Sequence, residues 1–559
     1  MIFDAGKAYN ELLGADEIAI DIETTGLSPY RDNIAVIAMH SDGKETCVIQ
    51  TPDGVIPQPV YTLLRESTNT TWITHNGTGF DLLFFLNCGF EIPYKQHFDT
   101  LIGEQVLSTH GRRDVSKKLA DTMKRRIGKS FKLDIDHETW KRKNLSEEQL
   151  KYVAGDVEYL HKIKRMQQKL CDERDLRLAL DKEQQLTTIT SRIAYNGLPI
   201  SIPLLSQYKE ALARDAEASI QILEILDPDY NVNSSKKVKE LLKFYGIVVE
   251  DTAKTTLLPM GDVNPICKNI INIREYLRGN NVYDEEWVTN FVDSGRVRCN
   301  YWQLGTNTTR YTSSNPNMQQ IPRKMRSVFG HEPGKKVVSA DWSQAEVKMV
   351  AHITKDPNLI EALNQEDFHT YMAGLMFPDT EITSDVRSRA KAGSFTIFFF
   401  GGKNGIIMGG RRFGVIISDA EAYNMIGLIP SRFPKVAGWH QRAKQIAYSR
   451  SPMIQIPLHW GHRRGLLRGD RSPQQVVNTQ VQGNSALGLK EALLNVKEAG
   501  LDKYIGAIVH DEIVATGVED LVVEDFSAEL KDCMTRGMSE VCDLPVGVEI
   551  SSASAWQKD

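Results

Sequence analysis

A bilayer-spanning helix needs about 20 consecutive, mostly apolar residues, and no such run occurs in these 559 residues. The start, Met1-Ile2-Phe3-Asp4, has no basic segment and does not read as a secretory signal. Cysteine is sparse. The seven present (Cys47, Cys88, Cys171, Cys267, Cys299, Cys533 and Cys542) never form a CxxC pair. That argues against a zinc module or a disulfide framework and for a reducing compartment, so the expected location is cytoplasmic with no membrane partner. There is no fixed-period repeat and no low-complexity tract, and the charges nearly balance, the net being −5. What remains is the composition of an ordinary globular enzyme, 41% hydrophobic and 25% charged. The length suits about two to four domains.

Charge is local here. "GRRDVSKK" (111–118), "KRRIGKSFK" (124–132) and "WGHRRGLLRGDR" (460–471) are basic clusters. Each reads as a solvated face unless a catalytic site lies beside it. Over roughly the first 180 residues, short apolar strands ("EIAIDIE", "IAVIAMHS", "TCVIQT", "TWITHN") alternate with helical stretches, an α/β pattern. Residues 181–290 are largely helical, and from about 335 strands return ("KKVVSADWS", "IGAIVHDEIVATGV") around a helical block over 355–450. Two strand-rich carboxylate sites bracketing helices suggest one domain interrupted by another.

In "AIDIETTGLSP" (19–29), Asp21 and Glu23 fall on one face of a strand. Side by side they repel unless something positive lies between them. "THNGTGFDLLFFL" adds Asp81 at the start of an apolar helix, and "EEQLKYVAGDVEYL" adds Tyr152 and Asp156, four apart on one helix face. Taken singly, Asp81 is a helix cap and Tyr152 a core residue. Together, three Asp, one Glu and a Tyr make an oxygen-only site for two divalent cations, with the Tyr left to orient a water. "DIETTGL", "HNGTGFD" and "YVAGD" resemble the three motifs of the DEDD exonuclease family in its Tyr variant. That resemblance implies 3′–5′ hydrolysis of DNA and a ribonuclease H-like fold.

A second constellation has the same grammar. "VVSADWSQAEVKMVAH" is a strand ending in Asp341, and "YIGAIVHDEIVATGV" carries Asp511 and Glu512 at a sharp turn. Strands far apart in sequence can be neighbours, and two such aspartates suit two Mg²⁺ on a nucleoside triphosphate, with the backbone carbonyl of Trp342 completing the shell. In "DVRSRAKAGSFTIFFFGG", Arg387, Lys391 and Phe395 recur every four residues along one helix face. Two cations and an aromatic ring suit a triphosphate and its base or sugar, and His369 in "EDFHTYMAGLMF" adds a phosphate donor.

"DWSQAEVK", "RSRAKAGSF" and "VHDE" resemble motifs A, B and C of family A DNA polymerases, and "TTRYTSSNPNMQQIPR", "NTQVQGNSALGLKEAL" and "YNVNSSKKVKELL" resemble supporting segments of that family. The resemblance implies that Asp341 and Asp511 bind the catalytic metals, two Mg²⁺ per active site with Mn²⁺ as a substitute. It makes Glu512 a supporting acid near the primer end, with His510 its neighbour on DNA. Arg387, Lys391, His369, Trp342 and Gln344 would meet the incoming dNTP, with Lys391 the proton donor to pyrophosphate. Phe395 would stack near sugar and base and disfavour dideoxynucleotides, and Glu346 would crowd the 2′ position. Arg310, Asn478 and Gln482 would touch primer-template DNA.

Departures from the family pattern are Trp342, Lys348, Ser394, Thr396 and Phe399, the last ambiguous by one residue with Phe400; none removes a metal ligand. The expected architecture is α/β and multidomain: a 3′–5′ exonuclease domain over 1–180, then a right-hand polymerase with thumb 181–300, palm 301–354 and 475–559, and fingers 355–474. With no room before Asp21 for a 5′-nuclease, the chain resembles a phage replicative polymerase. That implies a monomer in the host cytoplasm, with phage helicase/primase and single-strand binding protein as partners. The thumb interval is short for a processivity-factor loop. Two rivals are a single-subunit RNA polymerase, opposed by Glu346 and the exonuclease motifs, and a nuclease with a dead palm, opposed by intact Asp341, Asp511, Arg387 and Lys391.

Overall fold

Strand β1 (Glu17–Thr24) alternates as the sequence predicts, and the alternation sorts its side chains onto two faces. Ile18, Ile20 and Ile22 enter a compact core with Leu12, Ile37, Trp72, Phe84 and Phe85, while Ala19, Asp21 and Glu23 share the opposite face. This computed structural model describes residues 1–51, 53–108, 115–129, 140, 145–261 and 264–557. Strands β2 (Ile34–His40), β3 (Cys47–Gln50), β4 (Thr71–Thr74) and β5 (His97–Asp99) complete a sheet of order β3-β2-β1-β4-β5. β2 runs antiparallel to both of its neighbours, β1 and β3, while β4 pairs parallel with β1 and β5 parallel with β4. The short β5 is the one strand of this sheet that the apolar-run reading did not contain. Helix α1 (Asp81–Asn87) follows β4, and helices α2 (Glu147–Glu158) and α3 (Leu160–Glu173) cover the carboxylate face. α2 begins in a capping box, Ser146 accepting from Gln149 N while the Gln149 side chain reaches back.

Helix α4 (Arg177–Asn196) spans position 180 and packs against both halves of the chain. On one side it is bolted to the first sheet: the Asp99 backbone exchanges hydrogen bonds with Gln184 at 2.7 and 3.0 Å, and Ser191 Oγ donates to Thr78 O at 2.7 Å. On its other side Thr190 Oγ1 lies 2.8 Å from Tyr311 Oη, and Asn196 Nδ2 donates to Asp502 O and Ile505 O. One apolar core therefore runs from the far face of the first sheet (Ala38, Val157, Ile163) through Leu186 and Ile193 into the C-terminal half (Val338, Leu487, Val514).

Beyond α4, helices α5 (Ile202–Leu226) and α6 (Pro265–Val282) pack together in a helical region with its own core of Leu223, Val238, Leu242 and Ile270. The C-terminal half is built on β6 (Lys335–Trp342) and helices α7 (Ala345–Thr354), α8 (Phe368–Met376), α9 (Ser384–Phe398) and α10 (Pro473–Glu498). Strands β7 (Ile505–Val509) and β8 (Glu512–Glu519), helix α11 (Val523–Ser539) and β9 (Val548–Ala553) follow. The resulting antiparallel sheet has order β7-β8-β6-β9. A charged cluster holds α10 to α4. Glu183 accepts from Lys490 Nζ and from His462 Nε2 (3.1 Å) on one oxygen and from Gln303 Nε2 (2.8 Å) on the other. Glu183, Lys490 and His462 all have side-chain exposures of 0%. No helix among the described residues is long and apolar enough to cross a membrane.

Candidate active sites

The first site lies where β1, α1 and α2 meet, and all five sequence-predicted residues line one cleft of about 1210 Å³. Ligand oxygens of Asp21, Glu23 and Asp156 lie within 4.8 Å of one another. Asp81 is tied in from α1, its Oδ1 accepting from Ile22 N at 3.1 Å. Tyr152 hydrogen-bonds Asp156 one helical turn away. The turn after β1 explains the Gly of "DIETTGL": a Cβ on Gly26 would lie 2.4 Å from the Asp32 carboxylate, which itself accepts from Ser28 N.

Crowding governs the electrostatics. Burial first, and then the charges of Asp81, Asp156 and Glu23, hold Asp21 well above the usual carboxylate range. Burial likewise pushes Glu23 up to about 8, and Asp81 and Asp156 to about 7. Four acids that cannot all ionise unaided, with only oxygen donors, fit hard divalent cations. The same cleft is lined by Lys117, Lys118, His75, Phe80 and Trp302, none of them assigned from motifs. Lys117 and Lys118 close the cluster at 111–118, whose first four residues lie outside the described residues, as do Ser130–Lys132 of the cluster at 124–132. Arg125 and Arg126 of that second cluster pair with buried Glu104.

The second site is set by strand register. Asp341, the penultimate residue of β6, pairs with Glu512, the first residue of β8. Directly opposed residues share a face, so Asp341 comes beside the His510–Asp511 turn, where His510 adopts a left-handed φ of 58°. Asp341 and Asp511 are half-buried and His510 is exposed. Glu512 is committed inward. Its Oε1 accepts from Ser339 Oγ and from Trp556 Nε1 (2.8 Å), its Oε2 accepts from Arg326 Nη1 (2.9 Å), and Arg326 lies over the Trp556 ring. That is the geometry of a brace for the turn, and Arg326 was not legible as its partner.

Arg387, Lys391 and Phe395 do form one stripe on α9, half-buried at Arg387 and exposed at Lys391 and Phe395, and Phe395 stacks on Phe399 with ring centroids 5.0 Å apart. Phe399 caps the helix C-terminus and Phe400 takes a φ of 60° with its ring on His440. Arg387 forks onto Asp367, Nε to Oδ2 at 2.6 Å and Nη2 to Oδ1 at 3.2 Å, and Asp367 also caps α8. His369 is pushed down to about 4 by burial and by Lys391 and Arg387, so it is neutral at neutral pH. Its Nδ1 is buried without a partner. Glu346, in the first turn of α7, accepts from Arg310 Nη2 at 2.8 Å. Gln344 precedes that helix with a φ of 57°, and Trp342 is buried at the end of β6. Asn478 and Gln482 stand one turn apart, half-buried, on α10.

Comparison with known proteins bears on both halves of the chain. The family model described as DNA polymerase family A matches residues 203–558, and the model described as 3'-5' exonuclease matches residues 3–172. The chain is 27% identical over 590 residues to DNA polymerase I of Aquifex aeolicus (strain VF5), covering 99% of this chain and 98% of that one. It is 24% identical to DNA polymerase I of Chloroflexus aurantiacus over 98% of this chain and 62% of that protein. It is 26% identical to that of Pseudomonas aeruginosa over 68% of this chain and 44% of that protein. It therefore spans nearly all of the Aquifex relative and less than two thirds of the other two. A solved structure titled "POL domain of Pol1 from M. smegmatis complex with DNA primer-template and dNTP" has the same fold, with a TM-score of 0.81 over 100% of this chain and 98% of that chain at 18% identity. The chain belongs to DNA polymerase family A and carries a 3′–5′ exonuclease domain ahead of its polymerase domain.

Proposed function

We propose that this DNA polymerase copies primer-template DNA at Asp341 and Asp511 and edits the primer 3′ end at Asp21, Glu23, Asp81 and Asp156, each site using two divalent cations, Mg²⁺ by preference and Mn²⁺ as a substitute. The observation that carries the reading is the pair of oxygen-only carboxylate sites on separate sheets, one with three acids inside 4.8 Å and the other set by the Asp341–Glu512 register. When bound, such cations supply neutralisation of the charge that develops on phosphate oxygens.

The chain's own groups do the rest. Tyr152, held to Asp156, orients water at the editing site. Lys391 and neutral His369 donate to the triphosphate, Lys391 supplying the proton for pyrophosphate, and Phe395 carries the sugar and base. Arg387 exchanges Asp367 for phosphate oxygens of the dNTP, with Gln344 and the backbone of Trp342 closing the pocket. Glu346, kept in place by Arg310, fills the space a 2′-hydroxyl would need. Asn478, Gln482 and His510 touch the duplex, and Glu512 braces the Asp511 turn. In this reading residues 1–180 form the exonuclease domain, 181–300 the thumb, 301–354 and 475–559 the palm, and 355–474 the fingers, with the chain acting as a monomer. The bacteriophage setting, with helicase/primase and single-strand binding protein as partners, rests on the sequence resemblance alone; the relatives compared are bacterial.

Extension of a labelled primer with Mg²⁺ tests the reading. Full-length product with dNTPs, shortening without nucleotide and little product with rNTPs are expected. Shortening in every lane would leave only a nuclease, and efficient rNTP extension would remove Glu346 as the gate.

A further inference from the structure

Apart from both catalytic clusters, His40, Asp42 and His161 bring ligand-type atoms within 4.8 Å of one another. His40 ends β2, Asp42 lies in the turn that follows, and His161 is in the first turn of α3. The two rings meet edge to face with centroids 5.6 Å apart. β1–β2 register pairs Ala19 with His40 and Asp21 with Ala38. His40 therefore sits on the same sheet face as Asp21, one same-face step along the strand.

The hydrogen bonds fix which nitrogen of each ring carries a lone pair. Thr46 Oγ1 has a single proton and donates it to Glu158 Oε1 at 3.3 Å. Toward His40 Nδ1, 3.1 Å away, it must then accept, which places the His40 proton on Nδ1 and the lone pair on Nε2. His161 Nε2 faces the Glu17 carbonyl at 3.5 Å, an acceptor, so its lone pair is on Nδ1. That Nδ1 is buried with no partner, in a residue only 1% exposed. Buried acceptors are seldom left unsatisfied. Asp42 gives Oδ2 to Arg165 and has Oδ1 for the cluster. A threonine and a glutamate behind His40 form the outer support that metal-bound imidazoles have. Burial also keeps both rings below their ordinary value, in the neutral form that ligates.

We propose that His40 Nε2, His161 Nδ1 and Asp42 Oδ1 form a site for a zinc-class transition-metal cation, separate from the oxygen-only Mg²⁺ sites. Two imidazoles and one carboxylate, with water as fourth ligand, suit Zn²⁺ and not Mg²⁺. Bonds of about 2.0–2.2 Å require the three atoms to draw in, and Asp42, on an exposed turn, has room to do so. The metal would pin the β2–β3 turn to the start of α3, five residues after Asp156, and so act on the placement of α2.

The test uses the full chain, stripped by chelator and kept in excess Mg²⁺ so that the oxygen-only sites are filled. Zn²⁺ is titrated against a chromophoric chelator, and Co²⁺ binding is followed by its visible d–d bands. Wild type should take up one Zn²⁺ and show nitrogen-ligated Co²⁺ bands. Asp42→Ala and His161→Gln should each weaken Zn²⁺ by about tenfold or more and lose the bands. If His161→Gln fails to fold by circular dichroism, Asp42→Ala, at an exposed position, decides alone. Zn²⁺ affinity unchanged in the folded variants, or an anomalous zinc signal confined to Asp21, Glu23 and Asp156, would overturn the proposal.

Discussion

Replacing Glu183 by Gln keeps the shape of the side chain and removes its charge from a cluster with no exposed surface. Lys490 is then an ammonium buried in α10 whose carboxylate partner is gone, with His462 and Gln303 its neighbours. In the intact protein burial works to raise Glu183, yet Lys490 and His462 prevail and hold it below the usual range. Without that carboxylate Lys490 stays folded by giving up its proton. At about 1.36 kcal/mol per pH unit and an ordinary lysine value of about 10.4, deprotonation at pH 7 costs about 4.6 kcal/mol. That is a ceiling, and breaking buried pairs from one side costs about 3–5 kcal/mol. A loss of about 3–4.5 kcal/mol is expected. A chain of several domains does not unfold in one step, so the assay is hydrogen exchange read on α4 and α10 peptides, with β2–β3 peptides as control. The folded lysine value is depressed, so its share of stability is full above the unfolded value and is lost as pH falls. The deficit of Glu183→Gln should therefore shrink by about 1.36 kcal/mol for each unit from pH 7 to 10. Adding Lys490→Met should recover most of the loss. A deficit below about 1 kcal/mol, or one flat in pH, would refute the reasoning, because a packing defect carries no proton.

The two catalytic clusters should separate: Asp21→Ala with Glu23→Ala abolishes 3′ shortening and spares extension, Asp511→Ala does the reverse, and loss of both activities from either change would contradict two sites. In metal-free protein Glu23, Asp81 and Asp156 stand at about 8, 7 and 7, against about 4 when unfolded. Raised values give stability that is full below about pH 4 and is lost as pH climbs through 8, so Mg²⁺ should raise the exonuclease melting temperature more at pH 8 than at pH 5. Equal shifts at both would count against the cluster. Glu346→Ala removes the partner of Arg310 and the side chain that feels the Asp511 charge, and should raise rNTP incorporation by tenfold or more, about 1.4 kcal/mol, with dNTP extension less affected; unchanged discrimination in a primer assay would exclude Glu346 as the gate.

What the sequence carried was local. Asp21 with Glu23, Tyr152 with Asp156, and the Arg387–Lys391–Phe395 stripe each lie within nine residues, so strand or helix periodicity places them. Asp341 beside Asp511 was reachable because each ends or follows an apolar strand. The rest depends on meetings between distant segments that no period encodes. Arg326 reaches Glu512 across 186 positions and Lys490 reaches Glu183 across 307. Asp367 carried no assignment in the sequence, yet it holds Arg387. Nor does any period show that the helix spanning position 180 packs against both halves: α4 carries apolar residues that join the core running through both.

With α4 as a shared beam, the two sheets of this enzyme stand on one chassis. Traffic between them then falls to the DNA. On the function proposed above, a primer end leaves the polymerising sheet by unzipping from its template, and each stacked step released costs about 1.4 kcal/mol. A correctly paired end is held back by that toll, and a mismatched end, already frayed, is not. On this chassis the error itself opens the way to its own removal.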